Sequence, residues 1–260
     1  MENKIIKPFV ITDENVEAYT NKITAWISGL INGANRKGVV LGMSGGIDCC
    51  VVARLCQEAG ENIHLVMLPY GNDMANSKSH SHAMELIEKF NFPYHIHDIQ
   101  PAVDATVTKD TYFLSAASQS NKELSLANIR PRVRMTYLYQ LAQLGSMFVA
   151  GTGNMAERTV GYFTKWGDGA CDFNPLAILT KQEVYTLARY LGVPDSIINK
   201  KPSAGLWEGQ TDEDELGMTY AQIDAYILNG TSGDKETDKL IENRIAMSAH
   251  KFDPTPVFQD

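Results

Sequence analysis

"VVLGMSGGIDCC" runs from Val39 to Cys50. An apolar stretch long enough for a strand stops at Ser44-Gly45-Gly46. The pattern then turns helical, with Asp48 in the first turn, Val51, Val52, Leu55, Cys56 and Ala59 on one face, and a stop at Gly60. In an open parallel sheet such a corner lies at the carboxyl ends of the strands, where ligands bind. The two glycines let the main chain approach a ligand, and the unpaired N–H groups of the next helix point at an anion. No Lys-Ser/Thr pair follows the glycines and the spacing does not fit G-x-G-x-x-G, so neither common phosphate fingerprint applies. Asp48 beside a polyphosphate would be repelled unless a divalent cation lay between them, and magnesium takes one or two carboxylates together with phosphate oxygens. The residues alone leave two readings open: a magnesium-pyrophosphate clamp, or a tight turn in which Asp48 complements the helix dipole.

Working outward, "HLVMLPY" from His64, "YHIHDI" from Tyr94 and "SMFVAGT" from Ser146 read as further strands, separated by helical patterns. Continuous apolar runs alternating with helices imply an α/β fold whose parallel strands are covered on both faces. A helix starts near Glu14, with Val16, Tyr19, Ile23, Trp26, Ile27 and Leu30 inward, and another covers Leu126 to Gln143, beginning near Pro131. Thr180 to Leu191 has a Thr180/Glu183 capping box and ends at Gly192 and Pro194, and Thr219/Gln222 repeats the capping pattern. With 260 residues and no repeat or linker, one domain over residues 1–260 is expected. The net charge of -8 opposes a broad nucleic-acid face. The four cysteines form neither a disulfide framework nor a zinc pattern, and no stretch reads as a membrane span or a signal peptide, so a cytoplasmic location is expected.

"SGGID" resembles the pyrophosphate loop of the N-type ATP pyrophosphatases, and later segments narrow the resemblance to the NAD synthetases. "NIRPR", "GTGNMAERTVGYFTKWGDGACDFNPL", "LTKQEVYTLARYLGVP", "KPSAGLWEGQTDEDELGMTY" and the closing "HK" occur in that family's order. The resemblance covers nearly the whole chain. It implies a Rossmann-like, adenine nucleotide alpha hydrolase-like open parallel sheet with helices on both faces. It also implies a homodimer that amidates deamido-NAD with ATP, Mg2+ and ammonia through an adenylated intermediate, releasing AMP and pyrophosphate. No segment is left over for a glutaminase domain, so free ammonia is the expected nitrogen donor.

Residue by residue, the resemblance puts ATP on Gly42, Met43, Ser44, Gly45, Gly46, Ile47, Asp48 and Cys49, with Thr152, Lys181 and Ser203. It puts magnesium on Asp48 and Glu157, and deamido-NAD on Arg132, Lys165, Asp172, His250 and Lys251. Asp48, Glu157 and Lys181 would serve the chemistry by stabilising charge on the departing pyrophosphate. Lys181 and Arg132 carry an independent hint: each falls in the first turn of an expected helix, where a cation opposes the macrodipole unless an anion is bound. The aromatic residues near Lys165 either stack on the nicotinate ring or simply fill space; the sequence does not separate these.

Four positions depart from the family pattern. Cys49 and Cys50 stand where hydroxyl residues are usual, Met67 where several relatives have arginine, and Pro131 where alanine is usual. A thiol is the weaker donor, so a phosphate hydrogen bond is expected to weaken by about 1 kcal/mol. A tRNA-thiolating enzyme shares the loop, but the acidic charge and the lack of a basic RNA-binding segment oppose it. A nucleotide sensor that binds ATP without turnover is the other rival.

Overall fold

The structure, a computed structural model, describes residue 7 and residues 9–71, 78–200, 211–252 and 257–258. Its strands are β1 (Val39–Gly42), β2 (Ile63–Met67), β3 (Tyr94–Ile96) and β4 (Phe148–Val149). They form a parallel sheet in the order β3-β2-β1-β4. The helices are α1 (Val16–Gly33), α2 (Ile47–Glu58), α3 (Lys78–Phe90), α4 (Gln100–Thr106), α5 (Thr111–Ala116), α6 (Gln119–Gly145), α7 (Met155–Thr159), α8 (Lys181–Tyr190), α9 (Asp195–Ile198), α10 (Asp212–Leu216), α11 (Tyr220–Asn229) and α12 (Lys235–Ser248).

The strands read as unbroken apolar runs because both faces are buried. Val39, Leu41, Ile63 and Leu65 share one core with Ile27, Leu55 and Leu187 of α1, α2 and α8. Val40, Val66 and Val149 face the other way, onto Val103 of α4 and Met135 and Leu138 of α6. A third cluster joins Ala156, Val160, Leu216, Tyr220, Ile223 and Ile241 of the later helices. The chain winds from β1 outward through β2 to β3, then returns along α6 to place β4 on the opposite flank of β1. That reversal opens a crevice between the carboxyl ends of β1 and β4, where ligands bind in this class of sheet.

Two expectations change. Helix α6 does not begin near Pro131; it begins at Gln119, where the Ser118 hydroxyl accepts from Asn121 N and caps it, and Pro131 lies inside it. Proline there removes the bond to the carbonyl four residues back. Its ring is seated instead against the loop after α7, since a Cβ on Gly167 would come within 3.0 Å of Pro131 Cβ. Arg132 is therefore mid-helix, and the first-turn argument does not apply to it. On α1 the buried residues are Val16, Thr20, Ile27 and Ile31, and Trp26 turns outward, 47% exposed. The rest of the expected stripe holds, with Tyr19, Ile23 and Leu30 packed against the core, and Thr20 joins it, a polar residue that hydrophobic periodicity passes over.

Helix α8 starts where expected, with the Thr180/Glu183 capping box formed. Glu183 is buried, and its Oε1 accepts from Ile11 N at 2.7 Å while Oε2 accepts from Thr180 N at 2.7 Å and pairs with Lys7 Nζ at 2.9 Å. One carboxylate thus fixes both the N-terminal strap and the start of α8. Replacing Glu183 by Ala strands buried donors and a buried cation, so a loss of about 3–5 kcal/mol is expected in urea unfolding. Glu183→Gln, which keeps the acceptor oxygen, is expected to lose less.

Candidate active site

The corner after β1 has its sharpness built in. Gly45 has φ +73°, and a Cβ there would lie 2.1 Å from the Ser79 carbonyl oxygen. Met43 and Ile47 are buried, so the corner offers a ligand its main chain. Gly46, the N-cap of α2, provides no side-chain cap. The first-turn amides of α8 contrast with this: Lys181 N and Gln182 N donate to Asp224 Oδ1 and Oδ2 at 3.1 and 2.9 Å. The protein itself supplies the anion at α8, and at α2 the anion site is left to a ligand.

Cys49 turns inward. Its Sγ donates to the Gly46 carbonyl at 3.1 Å and lies 3.3 Å from Ser44 Oγ, which accepts from Gly46 N at 3.3 Å. The thiol braces the loop, and only its amide remains for a ligand. A hydrogen bond from Cys50, opposed by burial, brings the Cys49 thiol down to about 6, whereas the Cys50 thiol is pushed up by the same contact and by burial.

Three helix starts converge on the crevice. Asp48 comes from α2, Glu157 from α7 and Lys181 from α8. Lys181 Nζ lies 2.6 Å from Asp48 Oδ2 and 3.7 Å from Glu157 Oε1, with the residue only 2% exposed. Burial alone would lower the lysine pKa, but Asp48 and then Glu157 more than reverse that, and the ammonium is held firmly charged. The Glu157 carboxyl is pushed up to about 8, first by burial and then by the charge of Asp48. Asn154 Nδ2 donates to Asp48 Oδ1 at 2.9 Å and closes a second capping box with Glu157. Tyr220 OH lies 3.3 Å from Glu157 Oε1 and 3.1 Å from Asp212 Oδ2, and Tyr162 OH donates to Asp212 Oδ1 at 3.2 Å. Asn154, Tyr220, Tyr162 and Asp212 were not among the sequence candidates. Asn154 carried a signal, the Asn-x-x-Glu capping spacing, but the other three had none.

A cleft lined by Thr152, Glu157, Phe163, Asp168, Gly169 and Asn174 leads from this cluster to the loop after α7. Four of the five residues expected to take deamido-NAD meet there. Arg132 Nε donates to the Lys165 carbonyl at 3.2 Å, Lys165 Nζ donates to the His250 carbonyl, and Lys251 Nζ donates to the carbonyls of Gly161 and Phe163, each at 2.7 Å. Asp172 is engaged differently, its Oδ2 accepting from Val149 N on β4 at 2.7 Å and its Oδ1 from Tyr139 OH at 3.5 Å. Ser203 lies outside the described residues. Phe163 is spent on packing: its ring meets Phe252 edge-on at 5.1 Å, Lys251 Nζ lies 5.0 Å from it, and a Cβ on Gly169 would approach it to 2.4 Å. Trp166 is 67% exposed at φ +64°, a conformation that costs a non-glycine residue about 1–2 kcal/mol.

The family model described as NAD synthase matches residues 19–255. The NH(3)-dependent NAD(+) synthetase of Carboxydothermus hydrogenoformans is 41% identical, over 91% of this chain and 95% of that protein. The structure of the NMN synthetase from Francisella tularensis is 38% identical with a TM-score of 0.82, covering 94% of this chain and 99% of that one. The NH3-dependent NAD synthetase from Campylobacter jejuni, in complex with the nitrate ion, is 30% identical with a TM-score of 0.74, covering 96% and 100%.

The raised Glu157 carboxyl has a measurable consequence. Its folded pKa of about 8 exceeds its ordinary value of 4.5, so between those values the folded chain binds a proton that the unfolded chain has released. Stability of the ligand-free protein is therefore expected to fall as pH rises through that window. Urea unfolding at about pH 5 and about pH 8 should show this loss, and Glu157→Gln should remove most of it.

Proposed function

The chain belongs to the NAD synthase family, and from that premise we propose that the corner after β1 and the Asp48–Lys181–Glu157 cluster together serve the amidation of deamido-NAD. The activity is the final step of NAD biosynthesis: a ligase reaction joining ammonia to the carboxyl of deamido-NAD with ATP as co-substrate. The observation that carries the site assignment is the meeting of two carboxylates and a buried ammonium beside a helix start without a side-chain cap.

In this reading the main-chain amides from Ser44 to Cys49 hold the ATP phosphates, with Thr152 and Ser203 as further contacts. Arg132, Lys165, His250 and Lys251 hold the dinucleotide, and Asp172 steadies β4 beneath it. The nicotinate carboxylate attacks the α-phosphorus, forming an acyl adenylate as pyrophosphate leaves. Ammonia then adds to the acyl carbon and AMP departs with its bonding electron pair. Lys181 keeps a full positive charge beside the departing phosphates without donating its proton, which is electrostatic stabilisation. Asp48 and Glu157 fit magnesium: both offer only oxygen, both face one point at the Lys181 ammonium, and Glu157 is held protonated first by burial and then by the charge of Asp48, both of which a bound cation would offset. When bound, the ion supplies the charge that lets carboxylates and polyphosphate share the crevice.

Free ammonia as donor is supported by coverage of 95% of an ammonia-dependent relative. A cytoplasmic location is supported by four free cysteines, and among the described residues no helix is long and apolar enough to cross a membrane. A homodimer is supported by Tyr112, Phe113, Leu124 and Leu126, exposed along α5 and the start of α6. A mononucleotide substrate is a second reading, favoured by the 0.82 TM-score to a protein named NMN synthetase.

Incubation with ATP, magnesium and deamido-NAD is expected to yield equal AMP and NAD only when ammonium is added; ADP as the product would refute the adenylation step. Running nicotinic acid mononucleotide in parallel decides between the two substrates by their kcat/KM. Light scattering should give a dimer mass that Phe113→Asp lowers toward the monomer.

A further inference from the structure

We propose that Trp166 is the platform on which the adenine ring of a dinucleotide substrate stacks, which makes it a residue that distinguishes dinucleotide from mononucleotide. The inference rests on the functional reading above and goes beyond it. Phe163, which lines the cleft, is committed to Phe252, Lys251 and Gly169. Trp166 is 67% exposed with a left-handed backbone at φ +64°.

The surroundings over-determine that conformation. Gly167 N and Gly169 N both donate to the Thr164 carbonyl, at 2.9 and 3.2 Å, and Thr164 N donates to Asp168 Oδ1 at 3.0 Å. Thr164 Oγ1 bonds Asn128 Oδ1 at 2.6 Å, and Gly167 is seated against Pro131. A strained residue held this tightly, with a large apolar side chain presented to solvent, is a mark of a ligand contact.

Position selects the ring. The reacting carboxylate must reach the α-phosphorus, so the nicotinate end lies in the cleft beside Thr152 and Glu157, which Trp166 does not line. Trp166 sits beside the cations of that loop: Lys165 Nζ is 5.4 Å from its ring, and Arg132 holds the Lys165 carbonyl. A dinucleotide running outward would set its diphosphate on those cations and its adenine on the indole. A mononucleotide ends before the indole.

Calorimetry with deamido-NAD and with nicotinic acid mononucleotide tests this on the parent protein, Trp166→Ala and Trp166→Phe. Trp166→Ala is expected to weaken deamido-NAD about tenfold and leave the mononucleotide unchanged, with Trp166→Phe recovering most of the loss. In turnover, KM for deamido-NAD should rise while kcat and KM for ATP stay put. Equal weakening of both ligands, no weakening of deamido-NAD, or no recovery in Trp166→Phe would overturn the assignment. So would a smaller particle mass for Trp166→Ala, because the ring would then belong to a contact between copies. A parent protein that releases no AMP with either substrate would instead refute the functional reading, and the binding data would still decide Trp166.

Discussion

The structure depends on a buried ammonium. Lys181 Nζ stands between Asp48 and Glu157 at the meeting point of three helix starts. Two carboxylates this close in a poorly solvated crevice cannot both stay charged without a cation. The ammonium can in turn stay charged while buried only because both carboxylates face it. The partners come from α2, α7 and α8, so the cluster also fixes how the first half of the chain sits on the second.

The sheet topology explains why these residues, far apart in sequence, meet. β1 and β4 are neighbours although much of the chain lies between them, and each ends at the same edge. Both strands lead through a glycine-containing turn into a helix whose first residues carry the charge. Secondary-structure ends thereby become the working parts, and strand interiors serve to hold them at a fixed spacing. Two helix starts in the same region are used oppositely. The start of α8 is filled by Asp224 from α11, whereas the start of α2 has no side-chain cap. Had Asp224 been absent, the site would offer two competing anion positions.

Much of this was legible in the sequence because it was written in local patterns. Ser44-Gly45-Gly46 marks the corner, the Thr180 and Thr219 capping boxes mark helix starts, and the apolar runs mark doubly covered strands. What escaped depended on contacts distant in sequence. Pro131 has the local signature of a helix start, and only its seat against Gly167 explains its place inside α6. Trp26 is apolar at a helical spacing, yet Thr20 takes the inward place. Tyr220 and Asp212 carry no motif, and the Tyr220 contact with Glu157, steadied by Asp212, appears only when α10 and α11 are packed against α7. Cys49 reads as a weakened phosphate donor, but its thiol turns inward to brace the loop.

The proline inside α6 divides that helix into two rods. The buried side chains of α6, Met135, Leu138 and Ala142, lie after Pro131, and the exposed Leu124 and Leu126 lie before it. With one rung of the hydrogen-bond ladder missing at the join, the outer rod is held by Asn128 and Ile129 near the join, and its exposed first turns can change by substitution while the inner rod stays bolted to the sheet. In this chain the surface before the join, and whatever docks there, can thus be remodelled without disturbing the sheet edge that carries the crevice.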